Sequence, residues 1–142
     1  MESFQNKLEK PLVVLVHEQS LLRLWMERTL SKWFRVCIFS TAEDALFFVR
    51  STKVLDVLIT DLNLNLSALG GCNVAREVHH IFPKSHIFIF NDVSSSDHRY
   101  IILKNIKKVK YLSKFFGSVF LVRHVKNALT KKGENFNEQS NL

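Results

Sequence analysis

The chain has 142 residues, 46% of them hydrophobic, and a formal net charge of +7 at neutral pH. That length fits one domain with a buried core, and the composition excludes a disordered chain. The longest apolar runs, Leu12–Val16 and Val119–Val122, are far too short to span a bilayer, and Cys37 and Cys72 form neither a disulfide framework nor a metal-binding spacing, so both are expected to be reduced thiols.

Residues 1–10 are polar and read as a lead-in. Their layout lacks a signal peptide's long apolar run and small-residue cleavage site, so the expected location is cytoplasmic. Pro11 opens a strand, LVVLV, that ends at His17-Glu18-Gln19. Ser20 can cap a helix running to Ser31, whose apolar positions Leu21, Leu22, Trp25, Met26 and Leu30 follow a 3.6-residue period. Residues 35–39, RVCIF, form a second strand. Ser40 to Glu43, STAE, has the capping-box pattern and starts a helix to Arg50, with Ala45, Leu46, Phe48 and Val49 available to the core. Residues 54–60 are a third strand, an apolar run that ends in one carboxylate, Asp61. The loop LNLNLSALGG follows; its leucine–asparagine alternation could pass for a strand but reads as a loop directly after Asp61. A helix over CNVAREVHHIF then turns Val74, Val78, Ile81 and Phe82 inward and stops at Pro83. HIFIF at 86–90 is a fourth strand, ending at Asn91-Asp92. Ser94 to Asp97 is a capping cluster before a helix over 97–107. VKYLS at 109–113 is a fifth strand, ending at Lys114. Gly117-Ser118 starts a last helix that reaches Lys132, and residues 133–142 read as a disordered tail. Five strands alternating with five helices predict one parallel α/β layer structure over 11–132, with right-handed crossovers and no second domain.

In a parallel sheet all carboxyl ends lie on one edge, where ligands bind. Four segments therefore bring polar groups to that edge: His17-Glu18, Asp61, Asn91 and Lys114. Glu18 and Asp61 could share a divalent cation through oxygen, as Mg²⁺ prefers. Lys114 is a point charge suited to a phosphoryl group or a carboxylate, and Asn91 offers amide donors. An anionic phosphoryl group fits this set. The plainer alternative is that strand ends are polar because loops are.

The segments LVHEQSLLR, STAEDAL, LITDLNLN, GGCNVAREV, IFIFND and KYLSKFF resemble, in order, the receiver domain of two-component response regulators. The resemblance spans about residues 11–132. It implies a flavodoxin-like five-stranded parallel sheet of order 2-1-3-4-5 with helices on both faces. It also implies a non-enzymatic signalling domain, phosphorylated on Asp61 by a sensor histidine kinase or phosphotransfer protein. Asp61 matches the phosphoryl-accepting nucleophile and Lys114 the lysine that pairs with the phosphoryl group. Glu18 matches one acid of the Mg²⁺-binding pair, His17 stands at the other, and the backbone carbonyl of Asn63 would be a further ligand. Asn91 falls at the phosphoryl-sensing hydroxyl residue and Tyr111 at the switch aromatic.

The departures from the family pattern carry physical consequences. Glu18, Asp61 and Lys114 sum to −1, or 0 with His17 protonated, where three acids and a lysine would carry −2. The lower charge predicts weakened Mg²⁺ binding, and the extra methylene of Glu18 shifts the cation. Asn91 has no hydroxyl. Phe115 stands where the family has proline, so a cis bond there would cost about 3–4 kcal/mol. The loop after Asp61 is longer than usual and lacks its proline. Two readings stay open: a stand-alone receiver switched by phosphorylation, and a pseudo-receiver that docks a partner without it. A flavodoxin-like enzyme is disfavoured, because no glycine-rich phosphate loop follows the first strand.

The charge is uneven. Residues 1–83 hold nine basic and nine acidic side chains; residues 84–142 hold 11 basic against 4 acidic and so carry the whole excess. Lys104, Lys107, Lys108 and Lys110, with Arg123, Lys126, Lys131 and Lys132, fall on neighbouring elements. In receivers that face makes dimer and output contacts, which suggests a homodimer or an acidic downstream protein partner; a solvated lysine face is the alternative. Direct DNA binding is not expected, since no helix-turn-helix follows. His79, His80 and His86 are expected at the surface, and Phe47, Phe48, Phe82, Phe88 and Phe90 in the core.

Overall fold

A computed structural model describes residues 10–64, 70–90, 97–107, 109–112 and 117–130. Its elements follow in order: β1 (Leu12–Val16), α1 (Ser20–Leu30), β2 (Arg35–Phe39), α2 (Ala42–Ser51), β3 (Val57–Thr60), α3 (Gly70–Ile81), β4 (His86–Phe90), α4 (His98–Lys104), β5 (Val109–Leu112) and α5 (Ser118–Leu129). All strand pairings are parallel and the order is β2-β1-β3-β4-β5. The architecture is the parallel α/β structure expected from the alternation, in the flavodoxin-like strand order that the family resemblance implied.

The central strands β1, β3 and β4 are buried at every position, which is why each reads as an unbroken apolar run. Successive side chains point to opposite faces. Val13, Leu15, Val57, Ile59, Phe88 and Phe90 pack under α1 and α5 with Met26, Leu30, Leu121 and Val125. Val14, Val16, Leu58, Ile87 and Ile89 pack under α2, α3 and α4 with Val49, Val74, Val78 and Leu103. Two apolar layers thus cover one sheet, and the carboxyl edge of the strands is left for polar groups.

Several boundaries differ from the sequence reading for local reasons. β3 begins at Val57, three residues late, because Asp56 is spent on fastening strand starts. Its carboxylate accepts from Leu12 N–H at 2.8 Å, its N–H donates to the Leu12 carbonyl at 3.0 Å, and its carbonyl accepts from His86 N–H at 3.0 Å. The α2 cap is Thr41, whose hydroxyl accepts from Asp44 N–H at 3.1 Å, one residue later than the pattern STAE suggests. Gln19, without a side-chain bond, stands at the α1 cap in place of Ser20. α4 ends at Lys104 and α5 at Leu129, both earlier than expected.

Three apolar or aromatic side chains and one histidine also fall on the other side of the surface from their expected place. Leu21, Phe47 and Ile81 are exposed, whereas His86 is buried. Leu22 and Trp25 are half-buried against the α1–α5 layer. Phe88 and Phe90 are fully in the core, and Phe48 and Phe82 pack at its margin. Both cysteines are free thiols, and burial pushes each one's pKa upward, which favours the protonated form. The lead-in before Lys10, the capping serines 94–96, Lys108, Lys131, Lys132 and the tail 133–142 lie outside the described residues.

Candidate functional site

The ladder itself sets the site. Asp61 follows β3 directly and its N–H donates to the Val16 carbonyl at 3.1 Å; His17 follows β1 and its N–H donates to the Phe39 carbonyl at 3.1 Å. The last hydrogen bonds of two adjacent strands therefore place these residues side by side at the carboxyl edge. His17 Nε2 lies 3.6 Å from Asp61 Oδ2, an electrostatic contact slightly longer than a hydrogen bond. The Asp61 side chain keeps 20% of its surface exposed, and His17 keeps 8%.

The tautomer of His17 follows from its other nitrogen. Gln19 N–H donates to His17 Nδ1 at 3.1 Å, so Nδ1 carries a lone pair and the proton of the neutral ring is on Nε2, facing Asp61. The ring is further held edge-on against Phe90, with centroids 5.3 Å apart. Arg23 fixes the turn from outside by donating to the carbonyls of His17 and Glu18. Glu18, which the sequence placed in an acid pair with Asp61, has an exposed side chain.

The turn after Asp61 is anchored by its leucines. Leu62 and Leu64 are buried in the α2–α4 layer while Asn63 between them is exposed. Over residues 62–64 the leucine–asparagine alternation is strand-like in its facing, and Leu64 makes a bridge; Asn65 and Leu66 lie outside the described residues. The N-terminus of α3 closes on this turn: Gly71 N–H donates to the Leu62 carbonyl at 3.0 Å. Gly70 and Gly71, read as the end of the loop, are the first turn of the helix.

Arg99 is the residue the sequence did not reveal. It lies on α4, where Asp97 caps the helix by accepting from Arg99 N–H at 2.9 Å. The guanidinium pairs with the Asp97 carboxylate at 2.7 Å and donates to Asn63 Oδ1 at 2.9 Å. Its pKa is raised, first by the hydrogen bonds to Asp97 and, to a smaller extent, by the negative charge of Asp61. A resident cation therefore sits within electrostatic reach of Asp61 and ties α4 to the turn after β3. An Arg99→Ala variant is expected to lose about 1–2 kcal/mol of stability, because Asp97 and Asn63 both lose a partner. Urea denaturation measures it, and an unchanged midpoint would remove this tie as a stabilising contact.

The donor set does not fit Mg²⁺. That ion takes hard oxygen ligands in tight octahedral geometry. His17 directs an N–H, not a lone pair, toward Asp61, and its remaining lone pair is taken by Gln19. Glu18 is an exposed residue. Among the described residues no group of three or more His, Cys, Asp or Glu side chains could hold a metal ion. The oxygen donors left from the expected ligands are the carboxylates of Asp61 and the exposed Glu18 and the Asn63 backbone carbonyl. Tyr111, the expected switch aromatic, sits opposite Ile89 in the ladder with 38% of its surface exposed. Asn91 and Lys114 lie outside the described residues, as does Phe115.

No family model and no curated protein matches the chain. Solved structures do. A response regulator receiver protein from Sinorhizobium medicae WSM419 superposes with a TM-score of 0.73 at 24% identity, over 86% of this chain and 96% of its own. A CheY-like receiver domain protein from Methanospirillum hungatei JF-1 gives a TM-score of 0.75 at 15% identity, over 89% and 99%. The BeF3-activated receiver domain of DrrB gives 0.68 at 20% identity, over 84% and 97%. The chain has the receiver fold, as its motifs suggested.

Proposed function

We propose that this chain is a receiver-type signalling module, without catalytic turnover of its own, that acts by protein–protein contact and whose Asp61 site is set by internal pairing and not by a metal-dependent phosphoryl switch. The observation that carries this reading is the His17 ring, whose Nδ1 accepts from Gln19 N–H and whose Nε2 lies 3.6 Å from Asp61 Oδ2. The histidine takes the place of an acid, removes one charge from the ligand set, and supplies the carboxylate with a partner in the resting state. Arg99 adds positive charge on the same side. A cytoplasmic location belongs to the same proposal; no described helix is long and apolar enough to cross a membrane.

A second reading keeps the phosphoryl switch of the family. It is favoured by the exposure of Asp61, whose carboxylate remains open to an incoming phosphorus at the sheet edge. A histidine kinase or phosphotransfer protein would then be the donor, with weakly bound Mg²⁺ as the cofactor. Incubation with acetyl phosphate at millimolar Mg²⁺, followed by intact-mass measurement, separates the two. The pairing reading expects no phosphoryl adduct. An adduct in the wild-type chain that disappears in Asp61→Asn would overturn it in favour of the switch.

A further inference from the structure

α1 and α5 pack side by side over one sheet face, and a groove of about 950 Å³ runs between them along the outside of the molecule. Its walls are apolar: Leu24 and Trp25 from α1, Trp33 from the turn after it, and Val119 and Val122 from α5. Much of this surface is open to solvent, with Trp33 49% and Val119 68% exposed, and Leu21 at the groove's end 81% exposed. Exposed large apolar side chains gathered in one concave strip mark a binding surface. The rim is basic. Arg28 and Lys32 on one side face Arg123 and Lys126 on the other, and among the described residues no carboxylate lines the groove. The Lys126 ammonium already lies 3.3 Å above the Trp33 ring, which shows that a cation at this rim also touches the apolar wall.

We propose that this groove docks an acidic amphipathic helix from a protein partner. The lining runs on α1 from Leu21 to Thr29, about 12 Å at 1.5 Å per residue, and continues to Lys32 and Trp33 in the turn after it, which accommodates at least two turns of a guest helix. Its apolar face covers Leu24, Trp33 and Val119, and carboxylates on its flanks meet the four cations. A second copy of the chain in the same groove would set these cations against each other, and a nucleic-acid backbone would leave the aliphatic wall uncovered. The groove differs from the face suggested by sequence. Lys104, Lys107 and Lys110 are exposed on the α4–β5 side, whereas the exposed apolar strip joins the basic residues of α5 to those of α1. The docking surface stands on its own geometry and is independent of how Asp61 is used.

The test uses the full chain and a fluorescein-labelled helical peptide with leucine and tryptophan on one face and glutamate on both flanks, read by anisotropy. A peptide with lysine in place of each glutamate is the charge control, and a duplex oligonucleotide is the nucleic-acid control. The expected result is saturable binding of the acidic peptide alone, weakened tenfold or more by the paired reversal Arg28→Glu and Lys126→Glu. Arg28 is exposed and Lys126 is half-buried over Trp33, and circular dichroism checks that the fold is retained. Leu24→Asp gives a second, charge-independent probe of the apolar wall. No binding of the acidic peptide, binding unchanged in these variants, displacement of the peptide by the oligonucleotide, or a dimer by sedimentation that the reversal dissolves would each overturn the proposal.

Discussion

A His17→Asp variant is expected to gain Mg²⁺ affinity by roughly tenfold or more over the wild-type chain, because a second carboxylate raises the charge of the ligand set. The wild-type contact is a neutral N–H facing Asp61 at 3.6 Å. Replacing it by a carboxylate converts a mild attraction into a repulsion between like charges. At an effective dielectric near 20 that repulsion amounts to a few kcal/mol at contact distance before solvent screening, and less at this partly exposed edge. The variant should therefore be less stable than wild type in chelator. Mg²⁺ should then restore it, since a ligand that binds only the folded state stabilises by about 2.7 kcal/mol at one hundred times its dissociation constant. Thermal melts with and without millimolar Mg²⁺ read both effects at once. Wild-type melts that shift with Mg²⁺ as far as those of the variant would show that His17 does not exclude the ion.

The sequence and the structure agree where one physical effect dominates. β1, β2 and β4 have the residue ranges read from their apolar runs; for β1 and β4 the reason is that a strand covered on both faces of a parallel sheet favours Val, Ile, Leu and Phe. Asp61 and His17 fall where strand ends must fall. The reading failed where long-range contacts decide. Asp56 looks like an interruption in an apolar run until Leu12 and His86 are brought beside it. Leu21, Phe47 and Ile81 satisfy a helical period yet lie on the open flank of their helices, since periodicity gives a face but not the width of its cover. Arg99 acquires its role only through Asn63, 36 positions away in the chain, and local pattern carries no sign of that.

Gly71 poses a related question of spacing, and its substitution has a sign that magnitudes decide. By helix propensity alone Gly71→Ala should stabilise α3 by up to about 1 kcal/mol. A Cβ on Gly71, however, would stand 2.0 Å from the Asp61 carbonyl oxygen and 2.6 Å from Leu62 Cα. Both are backbone atoms, and Leu62 is anchored in the core while Asp61 is fixed to Val16 by the ladder. Neither can move as a flexible side chain would, so the start of α3 must back away and lose the bond from Gly71 N–H to the Leu62 carbonyl. The expected outcome is a net loss of about 2–4 kcal/mol, the range for overpacking joined to a lost buried hydrogen bond. Gly70→Ala is the internal comparison, with its nearest contact at 3.0 Å to Leu64 Cβ, a side-chain atom, and should cost less. Urea titration of the two variants measures the difference. A Gly71→Ala protein more stable than wild type would mean that α3 does not close on Asp61 as described. A destabilised one places the shape of the Asp61 turn under the control of a glycine ten residues further along the chain.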